Sequence, residues 1–277
     1  MPGNGDFDMH HAGATHHVLW TGGWDSTFRV LQLATADAGV IQPYYLLFKD
    51  RASSSREKQA VHEIRALFEE SHPEAAGRVR QPETIEVDTL AADRDIEAAL
   101  QALQNQGELG DQYSWLSRFS HQYGINGLEL SIHLDDKAAA FVTPYARRCT
   151  GHDSFELVAT APEPLRVVFG RFRFPLLQRT KRAMDLEARA LGITPHLDRT
   201  WFCHWPTKFG QPCGTCHPCR YTMEEGLSRR IPITRRALYH VNRSVNYLSS
   251  PIPKGIRRRI IRVLGLNNRR PHEKRVS

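Results

Sequence analysis

The stretch that decides the fold is VLWTGGWDSTFRVLQLA, Val18 to Ala34. Its apolar start, Val18-Leu19-Trp20, predicts a short buried strand. Thr21-Gly22-Gly23-Trp24-Asp25-Ser26-Thr27 predicts a turn, and Phe28, Leu31 and Thr35 at helical spacing predict a helix beyond it. Asp25, Ser26 and Thr27 suit a helix start, because their side-chain oxygens take up backbone N–H groups that a first turn leaves free. Strand, glycine turn and helix N-terminus together make an anion site. The paired glycines let a ligand approach the backbone, and the first-turn N–H groups and helix dipole favour phosphate. Thr21, Ser26 and Thr27 add hydroxyl groups. Asp25 is the odd member: a carboxylate repels phosphate unless a cation lies between them, which points to Mg²⁺. Taken alone, Gly-Gly before Asp-Ser is also an ordinary turn with a cap. The turn reads neither G-x-x-x-x-G-K-[ST] nor G-x-G-x-x-G.

Outward from this stretch, strands and helices alternate. Strands are expected at Tyr44–Phe48, Thr84–Val87 and Gly127–Ile132, and helices at Arg56–Glu70, Ile96–Leu103, Tyr113–Gln122 and Thr180–Ala190. Gly192 is placed to end the last of these. Arg166–Phe169 reads as a strand or extended segment. Alternation of this kind predicts a Rossmann-like α/β fold, a parallel sheet with helices on both faces, whose ligands bind at the C-terminal edge of the strands. The polar loop Lys49–Ser55 falls on that edge. Lys181 stands in the first turn of its helix, where it opposes the helix dipole; a nearby phosphate would account for it, and so would simple exposure.

Four of the five cysteines, Cys203, Cys213, Cys216 and Cys219, are spaced C-x9-C-x2-C-x2-C. Four thiolates fill a tetrahedral Zn²⁺ shell and leave no open position, which predicts a structural zinc; an iron–sulfur cluster is the competing occupant. The fifth, Cys149, follows Arg147-Arg148, a setting that could favour thiolate, although such a Cys is more often merely buried. Without a signal peptide or an apolar run of membrane-spanning length, the cluster argues for a reducing cytoplasm and against disulfides.

The organisation expected is a flexible, His-rich leader over 1–16, a phosphate-binding α/β domain over 17–199, a zinc-binding segment over 200–228 and a basic extension over 229–277. The net charge of +7 belongs to that extension. From Arg229 onward fourteen Lys or Arg face one acid, Glu273, so the preceding residues are six charges negative. Lys254–Leu264 predicts a helix with an apolar stripe and a basic face, suited to an acidic protein, RNA or an anionic membrane, or to packing on its own domain.

The glycine turn resembles the S-G-G-x-D-S signature of the PP-loop ATP pyrophosphatases, with Thr21 for the first Ser. Pro175-Leu176 through Lys181 to Leu191-Gly192 is similar to a segment those enzymes carry after the core sheet. Thr200-Trp201-Phe202-Cys203-His204 and Cys213-Gly214-Thr215-Cys216-His217-Pro218-Cys219 resemble the T-W-S-C-Y … C-G-x-C-x-x-C ending of the 7-cyano-7-deazaguanine synthase family. The resemblance runs over about 17–227 in the same order. It implies that Thr21, Gly22, Gly23, Asp25, Ser26 and Thr27 hold ATP with Mg²⁺, and that Asp25 and Lys181 serve adenylation. It implies a deazapurine carboxylate and ammonia as substrates, and it allows a homodimer. Departures fall on the substrate side. The family's G-R-N is Gly110-Asp111-Gln112 here, its F-x-Y-G-Q-x-H becomes Phe48-Lys49-Asp50-Arg51 and a serine run, and its Arg after the last Cys is Thr222. They suggest a divergent member. A second reading joins the activated deazapurine to an amine on a protein or RNA held by the basic tail. A third is a non-catalytic, zinc-containing, ATP- or RNA-binding subunit.

Overall fold

The structure, a computed structural model, describes residues 15–49, 53–151, 153–237 and 239. The chain divides into two units, residues 1–201 and 202–277. The first contains seven strands: β1 Thr15–Leu19, β2 Val40–Leu47, β3 Glu83–Glu86, β4 Leu128–Glu129, β5 Ala146–Arg148, β6 Phe155–Leu157 and β7 Phe172–Arg173. Its helices are α1 Trp24–Thr35, α2 Ser54–Ser71, α3 Pro73–Ala76, α4 Arg94–Gln104, α5 Gln112–Gln122, α6 Ala139–Val142, α7 Glu163–Phe169, α8 Lys181–Ala190 and α9 Thr194–Leu197. The second unit carries α10, His217–Glu224.

Five strands form one parallel sheet in the order β3-β2-β1-β4-β7, while β5 and β6 form an antiparallel pair. The order reverses between β1 and β4, and the crevice outside the strand ends at such a reversal is where open α/β sheets take ligands. Two groups of helices flank the sheet. One joins α1, α2, α3, α8 and α9, and the other joins α4, α5 and α7. Within the second layer Phe119, Phe169, Phe172 and Phe174 are fully buried with Leu128, each side chain contributing about 1.5–3 kcal/mol through burial. The α/β class and parallel sheet expected from the alternation are thus present. No helix among the described residues is long and apolar enough to cross a membrane.

Three readings of the sequence change. Residues 163–169 are helical, not extended. Pro162 and Pro164 preset the first turn, and Leu165, Val168 and Phe169 bury one face at helical spacing, which outweighs the strand preference of Val167 and Val168. The sheet begins at Thr15, so Thr15 and His16, read as leader, belong to β1. β2 begins at Val40 and accommodates Pro43 opposite Val18. The basic helix expected at Lys254–Leu264 lies outside the described residues.

Gly22 is the residue on which the turn after β1 depends. Its φ is +72°, and a Cβ there would stand 2.7 Å from the Glu57 carbonyl oxygen on α2. Gly22→Ala is therefore expected to cost about 1–3 kcal/mol from backbone conformation alone, roughly 3–10 °C in Tm. An unchanged melting transition of the α/β unit would refute the close approach.

Candidate functional site

At the C-terminal end of β1, Trp20 continues the ladder by donating its N–H to the Tyr44 oxygen at 2.8 Å. Its indole N–H donates to Thr27 Oγ1 at 2.9 Å beneath the turn. Thr27 is fully buried, so its hydroxyl fastens the turn and does not face a ligand. Ser26 Oγ accepts from the Thr21 N–H at 3.2 Å and donates to the Gly23 oxygen at 3.3 Å. Trp201 closes the turn from outside, its N–H donating to the Gly22 oxygen at 2.8 Å. The Arg56 guanidinium lies 5.9 Å from the centre of the Trp201 ring.

α1 starts at Trp24, one residue earlier than the side-chain caps predict, and its cap is Gly23, with φ −78° and ψ 168°. Gly23 is extended; the left-handed glycine of the pair is Gly22. No side chain caps the helix. Its first-turn N–H groups have no partner inside a helix, the condition an anion site at a helix N-terminus requires. The indole N–H of Trp24 is buried without a hydrogen-bond partner among the described residues.

The two residues assigned to adenylation, 156 positions apart, meet here. Lys181 forms a salt bridge with Asp25 Oδ1, and its ammonium lies 5.0 Å from the centre of the Trp24 ring. Thr180 caps α8 by accepting from the Ala183 N–H at 3.2 Å, which fixes Lys181 as the first residue of the helix. Lys181 is buried, with 6% of its surface exposed. The exposed alternative for this lysine is thereby corrected.

A buried polar network that sequence reasoning missed ties these elements together. Glu129 on β4 accepts from Arg29 Nε at 2.6 Å and Nη2 at 3.2 Å, and contacts His16 Nδ1 at 3.0 Å. Arg29 Nη1 donates to Gln32 Oε1 at 2.8 Å, and Gln32 Nε2 donates to Glu187 Oε1 on α8 at 2.6 Å. Glu187 also pairs with Arg179. The chain of bonds joins β1, β4, α1 and α8, the elements that present Asp25 and Lys181. The sequence hinted that each charge needs a partner but not which one. Glu129 is a lone acid between two buried leucines, and Arg29 interrupts an apolar helix; a buried charge of either sign needs the other.

Burial would raise the Glu129 carboxyl, but hydrogen bonds from His16 and Arg29 outweigh it and hold it below the ordinary value. A folded-state value below the unfolded one, about 4.3 for Glu, gives stability that is complete above that pH. It is lost as pH falls through the lower, folded-state value. Glu129→Gln leaves Arg29 buried beside a neutral partner and is expected to cost about 3–5 kcal/mol. Urea unfolding at neutral pH measures this, and the variant should lose the acid-dependent part of the transition. A loss below about 1 kcal/mol would mean that solvent already screens the pair.

Beyond β2 the serine run is occupied internally. Ser53 Oγ donates to Glu57 Oε1 at 2.8 Å, the Tyr45 hydroxyl to Glu57 Oε2 at 2.9 Å, and Ser54 Oγ to the Phe48 oxygen at 3.2 Å. Cys149 takes the buried alternative. It is buried, its N–H donates to the Ser154 oxygen at 2.9 Å, and burial pushes its thiol up despite the two arginines before it.

In the second unit the four cysteines converge. Their sulfurs all lie within 4.8 Å of one another. Cys213 and Cys219 are 3.8 Å apart and Cys203 and Cys216 are 3.9 Å apart. Ligands at 2.3 Å around a tetrahedral Zn²⁺ are separated by about 3.8 Å, so the cluster could hold a metal ion such as zinc. The turn supplies charge-stabilising donors: the N–H groups of Thr215 and Cys216 point to Cys213 Sγ at 3.4 and 3.3 Å. Gly214, at φ +76°, makes the turn, and a Cβ there would stand 2.6 Å from the Arg235 oxygen. Sulfur contacts, Cys203 foremost, push Cys213 far down and Cys216 down to about 7, while the same crowding raises Cys203 and Cys219. All four could be thiolates together only around a cation.

In comparisons with known proteins, no family model matches the chain and no curated protein matches it.

Proposed function

We propose that the chain is an AMP-forming, ATP-dependent C–N ligase acting on a deazaguanine-type carboxylate, as its resemblance to the 7-cyano-7-deazaguanine synthases suggests. The observation that carries the reading is the meeting of Asp25 and Lys181 beside an uncapped helix N-terminus at the sheet's point of reversal. Backbone N–H groups of the first turn of α1, with Thr21 and Ser26, hold the phosphates. Lys181 balances charge on the phosphate oxygens as it develops, and Asp25 holds Mg²⁺, whose role is to neutralise that charge.

The substrate carboxylate oxygen attacks the α-phosphorus and pyrophosphate leaves. Ammonia then attacks the acyl carbon and AMP leaves, which gives the amide. The amide oxygen attacks the α-phosphorus of a second ATP and pyrophosphate leaves; loss of AMP and of the two amide protons then gives the nitrile. No side-chain nucleophile is used, in keeping with the buried Cys149. Zinc in the cysteine cluster would be structural, since four thiolates complete its shell.

The test is mass spectrometry of the products from ATP, Mg²⁺, 7-carboxy-7-deazaguanine and ammonia, with and without cellular protein and RNA. Free amide or nitrile with AMP supports the reading. A deazapurine mass on a macromolecule favours the second reading, which the changed loop after β2 and the basic tail motivate. No AMP under any condition removes both.

A further inference from the structure

The loop between Cys203 and Cys213 has no role in the chemistry above, yet it is built to present aromatic rings. Its two ends are buried cysteines of the sulfur cluster. Between them the N–H of Thr207 donates to the Gln211 oxygen at 2.8 Å, that of Gly210 to the Thr207 oxygen at 2.8 Å, and that of Gln211 to Thr207 Oγ1 at 3.2 Å. Gly210, at φ +73°, completes the tight tip. Phe209 stands on that tip with 76% of its surface exposed, and Trp205 at the base is 45% exposed. The Lys208 ammonium lies 5.0 Å from the centre of the Phe209 ring.

Single exposed apolar residues need no explanation, but a concentration of them does. Among the described residues, seven large hydrophobic side chains are exposed, and Trp205, Phe209, Tyr221 and Ile233 in the second unit are four of them. The charge of the two units adds direction. The described residues of the second unit, 202–237 and 239, carry six Lys or Arg against two Glu, whereas residues 1–201 carry twenty-one Lys or Arg against twenty-seven acids. A polyanion is drawn to the unit that carries the loop and repelled by the other.

We propose that the Cys203–Cys213 loop is a binding site for single-stranded nucleic acid, with Trp205 and Phe209 as stacking faces for unpaired bases and Lys208 as a phosphate partner. Exposed flat rings on a basic surface are what unstacked bases and their phosphates require together. A duplex hides its base faces, and an acidic polypeptide supplies charge but nothing planar for the two rings. The site stands independently of the ligase reading.

The experiment uses the full zinc-loaded chain and a fluorescein-labelled 20-nucleotide oligouridylate, read by anisotropy. The same strand in a duplex and a polyglutamate of equal length serve as competitors. Trp205→Ala and Phe209→Ala should each weaken single-strand binding about tenfold or more, while zinc content and Tm stay at the wild-type level. Lys208→Ala should lower the slope of log affinity against log salt by roughly 0.7. Trp205→Phe should bind like the wild type but lose fluorescence quenching by the unlabelled strand, a readout that holds even if the alanine variants lose zinc. Duplex or polyglutamate competing as well as the single strand would overturn the proposal. So would alanine variants that bind like the wild type, or absence of binding at low salt.

Discussion

Cys216→Ser is expected to abolish metal binding by the cysteine cluster and to unfold the second unit while the α/β unit keeps its own melting transition. Cys216 is the least buried of the four clustered cysteines, and Ser nearly preserves its volume, so the substitution would remove a soft ligand with little disturbance of packing. The remaining three thiols crowd at tetrahedral separations around a missing fourth. Structural zinc supplies about 10–16 kcal/mol of apparent binding energy to small domains, more than the packing of so short a chain replaces. Wild-type protein should carry about one zinc per chain, the variant only a small fraction of that, and limited proteolysis should then cut within 202–239. Retained zinc in the variant, or iron with visible absorbance in aerobic wild-type protein, would contradict the assignment.

Asp25→Asn and Lys181→Met are each expected to lower AMP formation by about 10²–10³-fold. Both substitutions keep side-chain volume, and Met keeps an unbranched stem beside Trp24. Because each removes one half of the same pair, the double variant should lose less than the product of the two single losses. Zinc content should not change, which separates loss of chemistry from loss of fold. AMP release that survives either substitution would remove the adenylation site from this turn.

The contrast between Lys181 and Glu129 shows which parts of the site the sequence made legible. Local rules located the turn after β1, the start of α8 at Thr180–Lys181 and the cysteine spacing, because turns, helix starts and Cys-x2-Cys pairs are decided by neighbours in sequence. Partnerships across the fold were not legible. Nothing near Lys181 in sequence names Asp25 as its partner, and nothing near Glu129 names Arg29, 100 residues away. Short-range propensity also misplaced Arg166–Phe169, where two valines suggested a strand and the proline-led amphipathic pattern won. Gly22 and Gly23 are equivalent letters in a motif, but only the backbone shows that the left-handed conformation belongs to the first.

The Lys181–Asp25 bridge ties the start of α1 to the start of α8. On the proposed function, the phosphate would draw Lys181 from its carboxylate and the cation would draw Asp25 from its ammonium, so each guest would free the other's host. Their binding would then be mutually reinforcing, and by reciprocity the anion would tighten the cation as much as the cation tightens the anion.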